Sequence, residues 1–455
     1  MFVEIDRDND LPLHEQVEHS IREGIQSGRL AAGERLPSSR ALARELGISR
    51  GVVTEAYGQL VAEGYLLSSQ GAPVRVARTV RAAQARPAAR SMLPSFPYDF
   101  HPGLPDLGGF PRDRWLRSLR AAWRQAPLDA VGYPDPRGVP ELRQALAGYL
   151  GRVRGVAAEP EQMLIGTGFA QAFSLLCRWL AGRGVEAVAL EDPGWHPHRL
   201  IVEQAGLKIV PVPVDGEGIR VDALAAAGAS AVVVTPAHQF PTGAVLSRER
   251  RAALVEWAEQ GERLIVEDDF DAELRYDDSG LGALQGLAPD RVAYIGSASK
   301  RLTPGMRLGW ALLPSWLAWP LIQAKTVEDS GSEVLGQLAL CDFVERGELD
   351  RHIRRMRVRY TRRREALLES LSRRAPEVAI SAGCAGLYEL AELPPEVDEA
   401  ALIASAAERG LGLHGLALHR FEPGGAPGLV LGFACLAEPA IDHSVRLLAE
   451  SLLEA

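Results

Sequence analysis

The sequence predicts an α/β protein in two bodies, an N-terminal winged helix-turn-helix and a larger domain built on a mainly parallel sheet. Three observations predict it. Helical stripes followed by a hairpin pattern fill the first 77 residues. Residues 79–95, TVRAAQARPAARSMLPS, are rich in Ala, Arg and Pro and lack helical or strand periodicity, which reads as a linker. Beyond them, short apolar runs alternate with helical stretches. The boundaries are therefore 1–78, 79–95 and 96–455, with a smaller α+β lobe formed by about 340–455 together with 96–130.

Each element of the first domain has its own signal. Pro12 suits the first turn of a helix, and Val17, Ile21 and Ile25 make one apolar stripe that runs to Gly28. Ser38 or Ser39 caps a second helix with Leu42 and Leu46 on one face, and Gly47 ends it. Ser49 caps a third helix through Glu63, and YLLSSQGAPVRVA alternates around Gly71 as a short hairpin does.

In the second domain the strand-like runs are MLIGTG, AVALEDPG, KIVPVPV, AVVVTP, RLIVEDD, VAYIGSASK and GWALLP. Helical stretches between them imply right-handed crossovers and helices on both faces of the sheet. Residues 333–375 read as long helices.

Composition bounds the function. A chain of 455 residues that is 47% hydrophobic supports two or three cored domains, which excludes a disordered chain and a disulfide scaffold. Cys177, Cys341, Cys384 and Cys435 are scattered, with no Cys-x-x-Cys spacing and no metal site, as expected of a reducing compartment. The N-terminus carries no leader pattern and no apolar run of about 18 residues occurs, so a cytoplasmic protein that does not span a membrane is expected. The formal charge of −9 conceals a basic segment: residues 35–90 carry nine arginines against three glutamates, +6, leaving −15 elsewhere.

That segment places Arg40 and Arg44 on the second helix, Ser49, Arg50 and Thr54 at the start of the third, and Gly71 at the hairpin tip. A recognition helix reads the major groove from its first turn while flanking polar groups hold phosphates. The stretch GERLPSSRALARELGISRGVVTEAYGQLVAEGYL resembles the DNA-binding domain of GntR-type bacterial repressors. The resemblance implies a double-stranded DNA operator as partner, with contacts from Arg40, Ser49, Arg50 and Gly71. Gly51 departs from it, since relatives have a polar side chain there.

The chain has only three lysines, Lys208, Lys300 and Lys325. Lys300 ends SASK after a strand; a buried lysine amine is costly unless its pKa falls or it forms an imine with an aldehyde. Ser297, Ser299 and Arg307 around it suit a phosphate, and together these suggest pyridoxal phosphate. The strand LIVEDD ends in acids at the edge where parallel sheets bind ligands. An acid there can keep a pyridine nitrogen protonated. The turn Gly166-Thr167-Gly168 opens a helix as an anion nest does, and Trp195 can stack on a flat ring.

The series GTG, EDPGW, TPAHQFPTG, VEDDF and SASK-x6-R is similar to that of fold-type I aminotransferases over residues 96–455. The resemblance implies that Lys300 forms the internal aldimine, Asp268 pairs with the pyridine nitrogen, and Trp195 stacks on the ring. It assigns the phosphate to Ser297, Arg307 and the turn Thr167, Gly168, Phe169, and places Ser299, Phe270 and Gln239 at the cofactor. A GntR-type domain joined to such a domain resembles the MocR/GabR-type regulators over the whole chain, with T-P-x-H-Q-F-P-T-G and E-D-D-x-D-x-E-x-R-Y characteristic of that group. The implied function is a homodimeric transcription regulator that senses an amine or a B6 vitamer through its cofactor. The alternative is a competent aminotransferase with an appended DNA-binding domain.

Two departures favour sensing. Phe270 stands where relatives have Tyr, removing a hydrogen-bond donor to the cofactor's phenolic oxygen. Val430 stands in GLVLGF where aminotransferases carry the Arg that clamps an α-carboxylate. A γ-aminobutyrate sensor is expected to have an Arg at position 197, which is Pro197 here. His196, His198, Arg199 and Arg420 are the residues expected to recognise an effector instead, one that is not a standard α-amino acid.

Overall fold

A computed structural model describes residues 3, 5–6, 11–68, 73–77, 96–276, 282–381 and 385–454. The chain divides into two compact units, Met1–Pro94 and Ser95–Ala455. The linker at 79–95, the hairpin tip with Gly71 and Cys384 lie outside the described residues.

The first unit contains α1 (Leu13–Gln26), α2 (Ser39–Leu46), α3 (Arg50–Ala62) and the antiparallel pair β1 (Leu66–Leu67) and β2 (Arg75–Val76). The stripe Val17, Ile21, Ile25 is buried with Leu42, Val53 and Leu60 in one core. Ser38 caps α2, accepting from the Ala41 amide at 3.2 Å, and Gly47 closes it in the left-handed region at φ +64°. Ser49 caps α3, accepting from the Val52 amide at 3.4 Å. The Tyr57 hydroxyl donates to the Pro37 carbonyl at 2.9 Å and so fixes α3 to the segment that enters α2.

In the second unit β3 (Tyr98–Asp99) precedes an eight-stranded sheet built from β4 (Met163–Gly166), β5 (Ala187–Asp192), β6 (Lys208–Asp215), β7 (Gly218–Ile219), β8 (Ala231–Val234), β9 (Leu264–Asp269), β10 (Val292–Ser297) and β11 (Gly309–Leu312). Its order is β4-β11-β10-β9-β8-β5-β6-β7. Strands β6, β5, β8, β9 and β10 are parallel, whereas β11 runs antiparallel to both β10 and β4. The reversal follows from chain length. Residues 298–308 return directly from β10 into β11, too short a connection for a helical crossover. The carboxyl ends of β4, β5, β9 and β10 consequently meet at one edge of the sheet.

The remaining strands are β12 (Ala379–Ile380), β13 (Tyr388–Glu392), β14 (Leu411–Gly412) and β15 (Gly428–Gly432). Strands β12, β13 and β15 form an antiparallel sheet, and β14 pairs in parallel with β3. The expected helical stretch at 333–375 is two helices, Leu335–Glu345 and Glu348–Arg374, broken at Gly347 with φ +66°. The arginines of the second are partly structural. Arg359 and Arg363 both reach Asp106, at 2.6 and 3.1 Å, and Arg374 reaches Asp442 at 2.9 Å.

Candidate cofactor and DNA sites

The sheet edge frames a cavity of about 240 Å³. Lys300 enters it from the one-turn helix Ala298–Arg301 that follows β10, and its Nζ donates to the Gly103 carbonyl at 2.5 Å. Gly103 has φ +77°, and a Cβ there would stand 2.9 Å from Nζ, so only glycine lets this strap approach the amine. Burial lowers the pKa of Lys300, while the carboxylates of Asp271 and Asp268 raise it.

Alternation along β9 decides which acid faces the cavity. Glu267 and Asp269 point to the opposite side: Glu267 accepts from the amides of Leu284 and Gln285, both at 3.0 Å, and Asp269 pairs with Arg154 Nε at 2.8 Å. Asp268 lines the cavity, and its Oδ2 lies 3.2 Å from His198 Nε2. Burial raises its pKa, and the His198 contact opposes that rise.

At the other end Ser297, Ser299, Arg307 and Gly168 meet. Among the described residues Arg307 has no carboxylate partner. Its backbone sits at φ +51°, a left-handed conformation that costs a non-glycine residue about 1–2 kcal/mol. Gly168, at φ +124°, opens the helix Phe169–Gly182; a Cβ at 168 would stand 3.8 Å from an Arg307 nitrogen, inside the cradle. A guanidinium and a bare helix N-terminus aimed at one space bind anions well.

Aromatic side chains form the remaining wall. Trp195 meets Phe240 edge to face at 4.8 Å, and Phe240 meets Tyr388 at 4.9 Å. Phe270 and Val430 pack into the same cluster, with Val430 fully buried. Among the described residues no further cation lines this side.

In the first unit Arg40, Arg44, Ser49, Arg50 and Thr54 are all exposed. Arg50 Nε donates to Ser39 Oγ at 3.4 Å, and Thr54 Oγ1 donates to the Arg50 carbonyl at 2.9 Å. Among the described residues Arg40 and Arg44 have no ion pair. Gly51 is exposed, and a Cβ there would touch only Ser49 Oγ at 3.6 Å.

Comparison with known proteins assigns a family to each unit. Residues 110–417 match the family Aminotransferase class I and II, and residues 13–76 match Bacterial regulatory proteins, gntR family. The chain is 32% identical to the probable rhizopine catabolism regulatory protein MocR of Rhizobium meliloti, over 99% of this chain and 95% of that one. The chain belongs to the MocR-type regulators of the gntR family. A second such regulator, the HTH-type pyridoxine biosynthesis transcriptional regulator PdxR of Corynebacterium glutamicum, is 33% identical over 92% of this chain and 91% of that one. Among solved structures, a kynurenine aminotransferase of Pyrococcus horikoshii aligns with TM-score 0.71 and 26% identity over 78% of this chain and 90% of that one. An α-aminoadipate aminotransferase of Thermus thermophilus, complexed with N-(5'-phosphopyridoxyl)-L-leucine, aligns with the same TM-score and identity over 78% of this chain and 92% of that one.

Pyridoxal phosphate is the cofactor of this MocR-type fold, and the residues present fit it. The cradle that a Cβ at 168 would fill, the arginine without a carboxylate, and an acid and a lysine facing one cavity match its phosphate, ring nitrogen and aldehyde. All the expected cofactor residues line the cavity except two. The Thr167 amide donates to Gln171 Oε1 at 2.8 Å, and the Gln239 amide group is engaged by Glu191, by the Pro193 carbonyl at 2.9 Å and by the Phe240 carbonyl at 2.6 Å.

The four expected effector residues separate. His198 lines the cavity but stands behind Asp268. His196 and Arg199 border a different, narrow cleft, where Arg199 stacks on Phe421 at 3.8 Å and donates to the Arg420 carbonyl at 2.8 Å. Arg420 closes its own loop through the carbonyls of Gly424 and Ala426. Sequence reasoning missed Thr235, Phe240 and Tyr388 as wall residues and Gly103 as the lysine's partner. The first two lie in TPAHQFPTG, which was visible as a motif; Tyr388 and Gly103 carry no local signal.

Proposed function

We propose that this transcription regulator holds pyridoxal phosphate through Lys300 and that occupancy of the Lys300 cavity by an amine, or by the vitamer itself, sets its affinity for a DNA operator. The carrying observation is a half-buried lysine facing Asp268 in a cavity whose remaining wall is aromatic and, among the described residues, has no clamp for a carboxylate. When bound, pyridoxal phosphate supplies an aldehyde that condenses reversibly with primary amines, so Lys300 and an incoming amine compete for one carbon. Asp268 holds the ring nitrogen, Trp195 and Phe270 cover the ring, and Arg307, Ser297, Ser299 and the helix start at Gly168 and Phe169 take the phosphate. Arg40, Arg44, Ser49, Arg50 and Thr54 supply the DNA face.

The absent clamp supports an effector without an α-carboxylate. The relative named as a pyridoxine biosynthesis regulator supports the vitamer as one such ligand. A homodimer suits paired operator half-sites. Exposed Trp123, Leu128 and Tyr133, close together in the chain, support a surface covered by a second copy. The DNA partner makes the cytoplasm the site of action; among the described residues no helix is long and apolar enough to cross a membrane.

Replacing Lys300 by Ala tests the reading. The visible absorbance of the bound cofactor should vanish, while binding to a DNA fragment from upstream of the gene persists and stops responding to pyridoxal phosphate. An unchanged spectrum refutes the assignment, and multiple turnover by the wild type with an amino donor and a keto acid would restore the aminotransferase alternative.

A further inference from the structure

His238 and Asp271 belong to the motifs TPAHQFPTG and EDDFDAELRY. The structure brings them together: His238 Nδ1 lies 2.9 Å from Asp271 Oδ2, and both side chains are 1% exposed. His238 Nε2 is buried and has no hydrogen-bond partner. The imidazole stacks on Tyr388 at 4.9 Å and faces Phe270 at 6.1 Å, so the pair sits behind two rings that wall the Lys300 cavity.

The pair is sealed from water by the C-terminal lobe. A Cβ at 386 would stand 2.2 Å from His238 Cε1 and 2.6 Å from Asp271 Oδ2, so only Gly386, at φ +89°, lets that backbone close over it. The Gly386 amide donates to the Leu274 carbonyl at 3.1 Å, and the Tyr276 hydroxyl donates to the Gly386 carbonyl. Around the pair stand Asp268, Tyr276, Tyr388, Glu389 and Arg275, whose Nη1 donates to the Ala237 carbonyl at 2.8 Å. A carboxylate in such dry surroundings acts over a longer range than one in water.

We propose that His238 and Asp271 form an electrostatic positioning pair for Lys300, in which the imidazole holds the Asp271 carboxylate behind the cavity wall and the charge of that carboxylate governs how readily the lysine becomes a nucleophile. Of the two carboxylates that hold the amine protonated against burial, Asp271 acts more strongly than Asp268. No side-chain hydroxyl shares this task at position 270, which is Phe. With pyridoxal phosphate bound, the ammonium would release one proton to solvent and the amine nitrogen would attack the aldehyde carbon; the carbonyl oxygen would leave as water with the two hydrogens that remain on the nitrogen.

The inference rests on Lys300 as the cofactor lysine, and its test separates the two. Pyridoxal phosphate is mixed with the cofactor-free full chain, and the rate at which the visible band appears is followed against pH for the wild type, Asp271→Asn, His238→Ala and His238→Gln. Failure of the wild type to form the band would count against the cofactor lysine. For Asp271→Asn the acidic limb should move down by about one pH unit, making capture about tenfold faster below the wild-type midpoint. His238→Ala, which leaves the buried carboxylate without its donor, should follow Asp271→Asn, and His238→Gln, whose amide can donate, should return toward the wild type. A wild-type profile in either Asp271→Asn or His238→Ala overturns the proposal. Should Asp271→Asn fail to fold, the comparison of His238→Ala with His238→Gln decides alone.

Discussion

His198 Nε2 lies 3.2 Å from Asp268 Oδ2, and the imidazole is held between Phe169, at 4.8 Å, and Phe173, at 5.6 Å. Both phenylalanines belong to the helix that begins at the phosphate turn. One ring therefore links the acid proposed to hold the cofactor's nitrogen to the turn proposed to take its phosphate. The contact also answers an electrostatic problem: burial pushes Asp268 toward its neutral form, and the imidazole opposes this.

Replacing His198 by Leu should weaken pyridoxal phosphate binding. A hydrogen bond to a charged group contributes roughly 1.5–3 kcal/mol, equivalent to a loss of about 10- to 100-fold in affinity. Absorbance titration of the cofactor-free protein measures it, and wild-type affinity in the Leu variant would remove His198 from the site's support.

Glu191 gives a pH prediction. It accepts from Thr235 Oγ1 at 2.6 Å and from Gln239 Nε2 at 3.2 Å, tying the strand before Trp195 to the segment that carries Phe240. Burial raises its pKa to about 7 from the ordinary 4.5. Between those values the folded chain keeps a proton that the unfolded chain has lost, so stability falls as pH rises through the window, by roughly 3 kcal/mol in all. Glu191→Gln should flatten this part of the slope. Its thermal midpoint should match or lie below the wild type at pH 5 and exceed it at pH 8, while Glu267, also raised to about 7, keeps its own contribution. Parallel pH profiles for the two proteins would contradict the assignment.

Much of this was legible in the sequence, for identifiable reasons. Caps, left-handed glycines and apolar stripes are local signals, and Ser38, Gly47, Ser49 and Val17 act where they were read. The acids at the end of LIVEDD were legible as a group, but the choice of Asp268 among them came from the resemblance to aminotransferases. What escaped depends on contacts distant in the chain. Gly103 meets Lys300 across 197 residues, Tyr388 reaches the Gln239 carbonyl across 149, and no short-range pattern encodes either pairing. The same limit applies to His196, Arg199 and Arg420, which are polar and near Trp195 or the last strands in sequence, whereas their contacts lie in a separate cleft and loop.

Ligand preference follows from Val430, which is fully buried in the aromatic cluster. A carboxylate entering there would lose its water without gaining a cation. Alanine and ethylamine differ by that carboxylate, so competition with Lys300 should show alanine no better than ethylamine at equal concentration of neutral amine. An arginine clamp would instead favour alanine by about 10- to 100-fold, the equivalent of roughly 1.5–3 kcal/mol. Rapid loss of the visible band with alanine, glutamate or γ-aminobutyrate but not with ethylamine would sink the reading.

Arg40 and Arg44 provide the sharpest test of the DNA face, because both are exposed and, among the described residues, neither has an ion pair to lose. Replacing either by Gln should leave the melting behaviour unchanged. If each arginine holds one phosphate, each replacement lowers the steepness of log affinity against log salt by about 0.9, since one fewer counterion is released. Ser49→Ala should behave differently. It removes the cap of α3, costs about 1 kcal/mol of stability in the first unit, and weakens binding chiefly by fraying the helix start that carries Arg50 and Thr54. Binding of an upstream DNA fragment measured from low to high salt distinguishes the two: a wild-type salt slope in both arginine variants would place the DNA on another face of the unit.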